Sequence, residues 1–260
     1  MGEDEFIQFQ MKYNAELLRL RIENALKLLD SKQHTAAFNQ HTQSSRNAVN
    51  SSSSIPGRII THGANVFKTS WRIGVNQAKI YGGLFVSDPN KNFGGRVWEV
   101  VSRFVWQGPQ TMLGSSFATV SNLVGQVDKV DYWGGATVLS GNFWGQGGAV
   151  TLGSYIAGSC YLSADPNNSL FQHEYGHYRQ SQKQGLLYIF VVGIPSLYSA
   201  TVNDYNAHNA TRVEQNANKR GYEYLYRVYG GSFEWNDINN RIIDTDWMNM
   251  INKKYGPSAP

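Results

Sequence analysis

Apolar residues recur at Phe6, Phe9, Tyr13, Leu17, Leu20, Ile22, Leu26 and Leu29 with Lys and Arg between them, a broadly helical period that predicts an amphipathic helix. From residue 31 that period is lost. Residues 31–54 are rich in Gln, Asn, Ser and His and end on four consecutive serines, the composition of a linker, and His34 and His41 within it read as solvated side chains. The predicted organisation is an N-terminal helix and polar linker over 1–54 and a folded domain over 55–260, with the boundary near Ile55-Pro56-Gly57.

Within that domain the helical period returns over Ile59–Tyr81, Val97–Trp106 and Thr111–Val124, the last two separated by Gly108-Pro109. The pattern then changes. Val127–Trp133 alternates, Gly134-Gly135 turns, and Ala136–Leu139 follows, which predicts a hairpin. After the Gly- and Trp-rich stretch over 141–148, Ala149–Ile156 reads as one further strand. A helix of about four turns is expected from Leu170, opened by a capping box on Ser169 and Gln172 and stopped at Gly185. The apolar run Leu186–Leu197, interrupted by Gly193 and Pro195, reads as core. The fold class is α+β, mostly helical with a small antiparallel sheet.

Composition narrows the function classes. Charged residues are 16% and aromatics 13% of 260, a globular composition poor in charge. The net charge of +4 is mild and its Lys and Arg are scattered, so no nucleic-acid partner is expected. Cys160 is the single cysteine, which excludes an internal disulfide and a Cys-rich zinc knuckle. The acidic start Met1–Phe6 has no apolar stretch, so no signal peptide is expected, and Phe6 argues against myristoylation. No run is long enough for a stable membrane span. Action outside the cell therefore requires another route, by secretion or by delivery into a target cell as part of a longer protein.

The candidate chemistry lies in His173-Glu174-Tyr175-Gly176-His177. At 3.6 residues per turn, positions four apart stand one above the other, so His173 and His177 present two imidazoles to one metal ion, zinc by this spacing. Glu174 lies where a carboxylate takes the proton of an attacking water without itself coordinating the metal. Gly176 costs such a helix up to about 1 kcal/mol relative to Ala, so its presence implies a close approach by another backbone or by the metal site.

A catalytic zinc takes three protein ligands, and the third is sought downstream. Glu214 is favoured. It opens a second helical stretch, with Asn218 one turn further on the same face. Two alternatives stay open: Thr211-x-x-Glu214 is also a capping box, in which the carboxylate would bond backbone, and His208 would make a three-histidine site. Tyr205, His208 and Arg212 are candidate donors to a developing oxyanion by their position just upstream of Glu214.

His173-Glu174-x-x-His177 followed by Glu214 and a polar residue four later resembles the gluzincin peptidases, the thermolysin-like class of zincins. The resemblance covers about residues 169–184 and 211–224. It implies a zinc-dependent peptidase acting on a protein or peptide substrate, with Glu174 as general base, Glu214 as third ligand and an active-site helix below a strand edge. It also implies that the residue four past Glu214 orients the first histidine. The class typically has Asp there; this chain has Asn218, an acceptor without the charge. The flanking Asp165–Asn168 and the Gly-Ile-Pro-Ser at 193–196 look like C-terminal toxin domains of bacterial polymorphic proteins, which implies an effector with a cognate immunity protein. Two readings from other classes compete: a zincin-shaped binding module without catalysis, and a membrane-active toxin inserting around Leu186–Leu197.

Overall fold

The computed structural model describes residues 55–143 and 147–255. The expected helix over 6–29 and linker over 31–54 lie outside the described residues. By its packing the chain divides into two compact units, Met1–Thr69 and Ser70–Pro260. The second unit carries the site described below.

Helix α1 (Ile55–Gly82) runs into a short 3-10 turn at Gly83–Phe85. Helix α2 (Phe93–Ser102) is capped by Asn92, whose side chain accepts from the Gly95 amide, and stops before Trp106 because the chain turns there. Helix α3 (Gly108–Leu123) carries Pro109 in its first turn, where a missing N–H costs nothing. Strands β1 (Val127–Trp133) and β2 (Ala136–Gly141) form the expected antiparallel hairpin about Gly134-Gly135, both at positive φ.

Two expectations fail in the next stretch. Residues 149–156 are not one strand but two, β3 (Ala149–Leu152) and β4 (Tyr155–Gly158), folded back on each other at Gly153. Gly153 has φ +63°, and Thr111 lies against its Cα where a side chain would go, so only glycine makes this turn here. The sheet is also not purely antiparallel. Its order is β1-β2-β4-β3, and because β3 reverses the chain once more, β4 runs parallel to β2. The α+β class stands, with a mixed sheet.

Both faces of that sheet are covered. Ala136, Val138 and Ile156 face a core shared with Phe171, Tyr175, Tyr178, Tyr222, Tyr224 and Leu225. Leu139, Tyr155 and Ala157 face the other way, against Ile80 and Ala118. The period-two alternation of each strand thus feeds two cores. Trp133 joins the first of them, edge-on to Phe171 and Tyr175.

Helix α4 (Ser169–Gln184) is the helix predicted around the His-Glu-x-x-His motif. Its cap is Asn168, whose side chain accepts from the Phe171 amide, and not the expected Ser169. Gln172, assigned to the same box, instead donates to the carbonyls of Pro166 and Glu234. Gly185 stops α4 at φ +56°, as expected. A 3-10 turn (Gly185–Leu187) and a π turn (Ile189–Gly193) lead into α5 (Ile194–Val202) and the short α6 (Tyr205–Asn209). Helix α7 (Arg212–Tyr229) then packs on α4, and α8 (Thr245–Tyr255) packs on α7.

The run Leu186–Leu197 is not core. Tyr188 and Val192 are buried, but Leu186, Leu187, Phe190, Val191 and Leu197 are exposed, Leu187 to 60%. The segment turns only the side with Tyr188 and Val192 inward. Its apolar composition therefore does not decide its burial.

Candidate metal centre

Helices α4 and α7 meet at two glycines. An added Cβ at Gly176 would lie 2.5 Å from the Ala217 carbonyl carbon, and one at Gly221 would lie 2.5 Å from the Gln172 carbonyl oxygen. Successive meeting points, Gln172 with Gly221, Gly176 with Ala217 and Gln180 with Val213, run in opposite directions along the two helices, so the pair is antiparallel. The backbone approach implied by Gly176 is that of α7. It brings the first turn of α7 to the face of α4 that carries the histidines.

At that face His173 Nε2 and His177 Nε2 are 3.2 Å apart, and Glu214 Oε2 lies 3.1 Å from the first and 2.9 Å from the second. One ligand atom from each of the three residues falls within 4.8 Å of the others. Glu214 is fully buried and His177 nearly so. Thr211 makes no side-chain cap bond, and its amide donates to the His208 carbonyl, so the Thr211/Glu214 capping box is not formed.

The outer ring nitrogens fix how the inner ones can behave. His173 Nδ1 is 2.8 Å from Asn218 Oδ1, and His177 Nδ1 is 2.7 Å from Gln180 Oε1. Gln180 spends its amide nitrogen on the Val213 carbonyl and Asn216 Oδ1, so its oxygen must face the imidazole. Each Nδ1 then carries a proton and each Nε2 a lone pair. Two imidazole lone pairs and a carboxylate oxygen converging on one point repel one another unless a cation or a proton sits among them. Glu214 Oε1 is buried and has no hydrogen-bond partner, a second unmet acceptor at the same place. A donor set of two imidazoles and one carboxylate, with both imidazoles held from behind, could hold a metal ion.

Without metal the same crowding draws in a proton. Burial opposes charge on His173, yet its hydrogen bond to Glu214 and the charges of Glu174 and Glu214 outweigh this and hold it up at about 9. Burial likewise opposes charge on Glu214, and the charges and hydrogen bonds of His177 and His173 hold it well below the usual carboxylate range.

Glu174 is buried beside this cluster and outside it. Thr151 Oγ1, on β3 at the sheet edge, lies 2.7 Å from Glu174 Oε2 and 2.9 Å from its carbonyl oxygen. The Tyr188 hydroxyl donates to the Thr151 carbonyl at 3.0 Å, so one acceptor of this edge strand is already taken. Burial beside Glu174 and Glu214 pushes the Tyr188 hydroxyl well above its ordinary value, which keeps it a donor.

Among the three donor candidates, His208 is drawn to the cluster. Its Nε2 lies 3.9 Å from Glu214 Oε1 and its Nδ1 3.0 Å from Ser199 Oγ. Burial lowers its proton affinity despite Glu214, so it stands neutral. Tyr205 is exposed and its hydroxyl donates to the Asn239 carbonyl. Arg212 is exposed, without a hydrogen-bond or ion-pair partner among the described residues. Gln180, Thr151 and Tyr188 escaped the sequence reading. Gln180 alone had a local signal, its place three residues past His177 on the same helix.

Comparison of the chain with known protein families, characterised proteins and solved structures gives no match.

Proposed function

We propose that this chain is a zinc-dependent peptidase of the gluzincin type, with His173, His177 and Glu214 as ligands and Glu174 as general base. The observation that carries the reading is the convergence of three lone-pair donors on one point, with Glu214 Oε1 buried and unpaired beside them. Zinc in such a set polarises a carbonyl and brings the pKa of a water toward neutrality.

The chain's own residues divide the remaining work. Glu174 accepts a proton from the attacking water and returns it to the leaving amine. The Thr151 hydroxyl ties one Glu174 oxygen, which aims the other. Asn218 and Gln180 hold the imidazoles in the ligating tautomer. A neutral His208 beside Glu214 supplies a hydrogen bond to charge that develops on the substrate oxygen. Delivery as part of a longer toxin, with an immunity protein as partner, belongs to the same proposal and rests on the resemblance of the segments flanking α4.

The deciding experiment measures the metal content of protein purified without chelator, together with a peptide-cleavage screen of the native chain and Glu174→Gln. About one zinc per chain in both, with turnover falling at least roughly 100-fold in the variant, is expected. Absence of metal, or undiminished turnover, refutes the proposal.

The exposed Leu186, Leu187, Phe190, Val191, Leu197, Tyr198 and Val202 favour a second reading, in which this uncharged stretch docks on a lipid surface. Among the described residues no helix is long and apolar enough to cross a membrane, so such docking would lie on the bilayer. Liposome leakage by Glu174→Gln, which lacks the proposed base, separates this reading from the enzyme.

A further inference from the structure

The same two helices carry a second, unexplained cluster of side chains. Arg179 and Lys183 on α4 and Arg220 and Arg227 on α7 line one cavity of about 330 Å³, with Glu223 and Tyr224. At 100° per residue, Arg179 stands about 200° around α4 from His177, and Arg220 about 200° around α7 from Asn218, so the cavity opens on the side away from the metal cluster. It is a separate place in the fold.

Its charges are left unbalanced. Among the lining residues four cations stand against one carboxylate, an excess of three positive charges (4 − 1 = 3), and the nearby carboxylates of Asp88 and Glu99 are bonded to Tyr224 and Gln182 and not to these cations. Among the described residues none of the four makes a salt bridge. Arg179 donates to the neutral Gln182 Oε1 and Arg220 to the neutral Asn216 Oδ1. Arg179 and Arg227 both lie over the Tyr224 ring, at 4.8 and 5.2 Å from its centre. That ring is itself fixed, since Tyr224 is buried and its hydroxyl donates to Asp88. Arg179 and Arg220 are half-buried rather than splayed into solvent. Burial lowers the proton affinity of Arg220; the Glu223 carboxylate opposes this and the neighbouring Arg179 adds to it.

We propose that this cavity is a binding site for a compact anion carrying two or more phosphoryl groups. A single carboxylate would leave most of the charge unmet, and planar guanidinium forks match phosphate oxygens. The Tyr224 ring is already taken by two guanidinium groups, so the site reads phosphoryl charge and does not stack an aromatic base. The anion would come either from solution or from a phosphorylated lipid headgroup.

The probe for the soluble source is inorganic pyrophosphate, titrated calorimetrically into the whole chain. Because pyrophosphate also binds metals, the titration is repeated on His173→Ala, which breaks the metal cluster. Equal affinity in both proteins, weakened about tenfold or more by Arg220→Gln, is expected from the loss of a charge-assisted contact. Lys183→Gln with Arg227→Gln, at two exposed positions, provides the same test should Arg220→Gln fold poorly. The lipid source is probed by flotation with phosphatidylcholine vesicles, with and without a phosphatidylinositol bisphosphate. Retention only on the latter, lost in the variants, supports the proposal with a headgroup as ligand; pyrophosphate binding without retention supports it with a soluble anion. The proposal is overturned if neither probe binds, if binding disappears in His173→Ala, or if the charge-removing variants bind as the native chain does.

Discussion

Replacing Gly176 by Ala sets two well-defined effects against each other. Helix propensity favours Ala by up to about 1 kcal/mol at an interior position, and α4 considered alone would gain that amount. The packing opposes it. The new Cβ would lie 2.5 Å from the Ala217 carbonyl carbon and 3.1 Å from its Cα. Carbon atoms in contact prefer about 3.5 Å or more, so the helices must part by roughly 1 Å, and the obstacle is backbone that cannot rotate aside. Overpacking of this kind costs about 1–3 kcal/mol, which against that gain leaves a net loss of up to roughly 2 kcal/mol in the metal-free protein. The consequence for the ligands is sharper. Glu214 stands one turn from Ala217 on α7, and metal distances tolerate only about 0.2 Å, so the displacement should weaken zinc binding far more than it weakens the fold. Urea unfolding of metal-free protein and zinc titration against a chromophoric chelator read the two effects separately. Gly74→Ala, at an exposed position of α1, is the control, since nothing lies within 4 Å of its added Cβ and propensity alone should act. A Gly176→Ala protein that is more stable than the native chain and binds zinc equally well would refute the reasoning.

Three further outcomes follow from the geometry. Glu214→Gln should lower zinc affinity by at least about 100-fold, while Thr211→Ala, which removes no side-chain cap bond, should leave both affinity and melting nearly unchanged; equal effects in the two variants would return Glu214 to a capping role. Thr151→Val should lower kcat about tenfold with zinc content intact, because it frees the Glu174 carboxylate without touching a ligand; an unchanged kcat would remove Thr151 from the mechanism. In zinc-stripped protein, His173 held at about 9 against an ordinary 6.5 contributes stability that is present below pH 6.5 and lost as pH rises through 9. Melting of the stripped protein should therefore fall across that window, and should not fall in His173→Ala.

Much of the site was legible because it is local. His173 and His177 are four residues apart, and helix geometry alone stacks them; Asn218 stands to Glu214 in the same relation. The Gly134-Gly135 hairpin and the Gly185 stop were legible for the same reason, since each is a backbone requirement met within a few residues. Gly176 announced a close approach without naming its partner. What the chain alone left open were contests between a local and a distant partner. Thr211-x-x-Glu214 satisfies the spacing of a capping box, and only the packing of α7 on α4 turns that carboxylate to two imidazoles 37 and 41 residues upstream. Ser169 and Asn168 are both good caps, and the structure chose the one whose backbone geometry fits. The split of residues 149–156 depends on Thr111 crowding Gly153, and the bond from Thr151 to Glu174 on which sheet edge lies over α4. The stretch from Leu186 to Leu197 was misread because hydrophobicity records what a residue gains on burial, whereas whether a wall stands beside it to bury it is decided by tertiary structure alone.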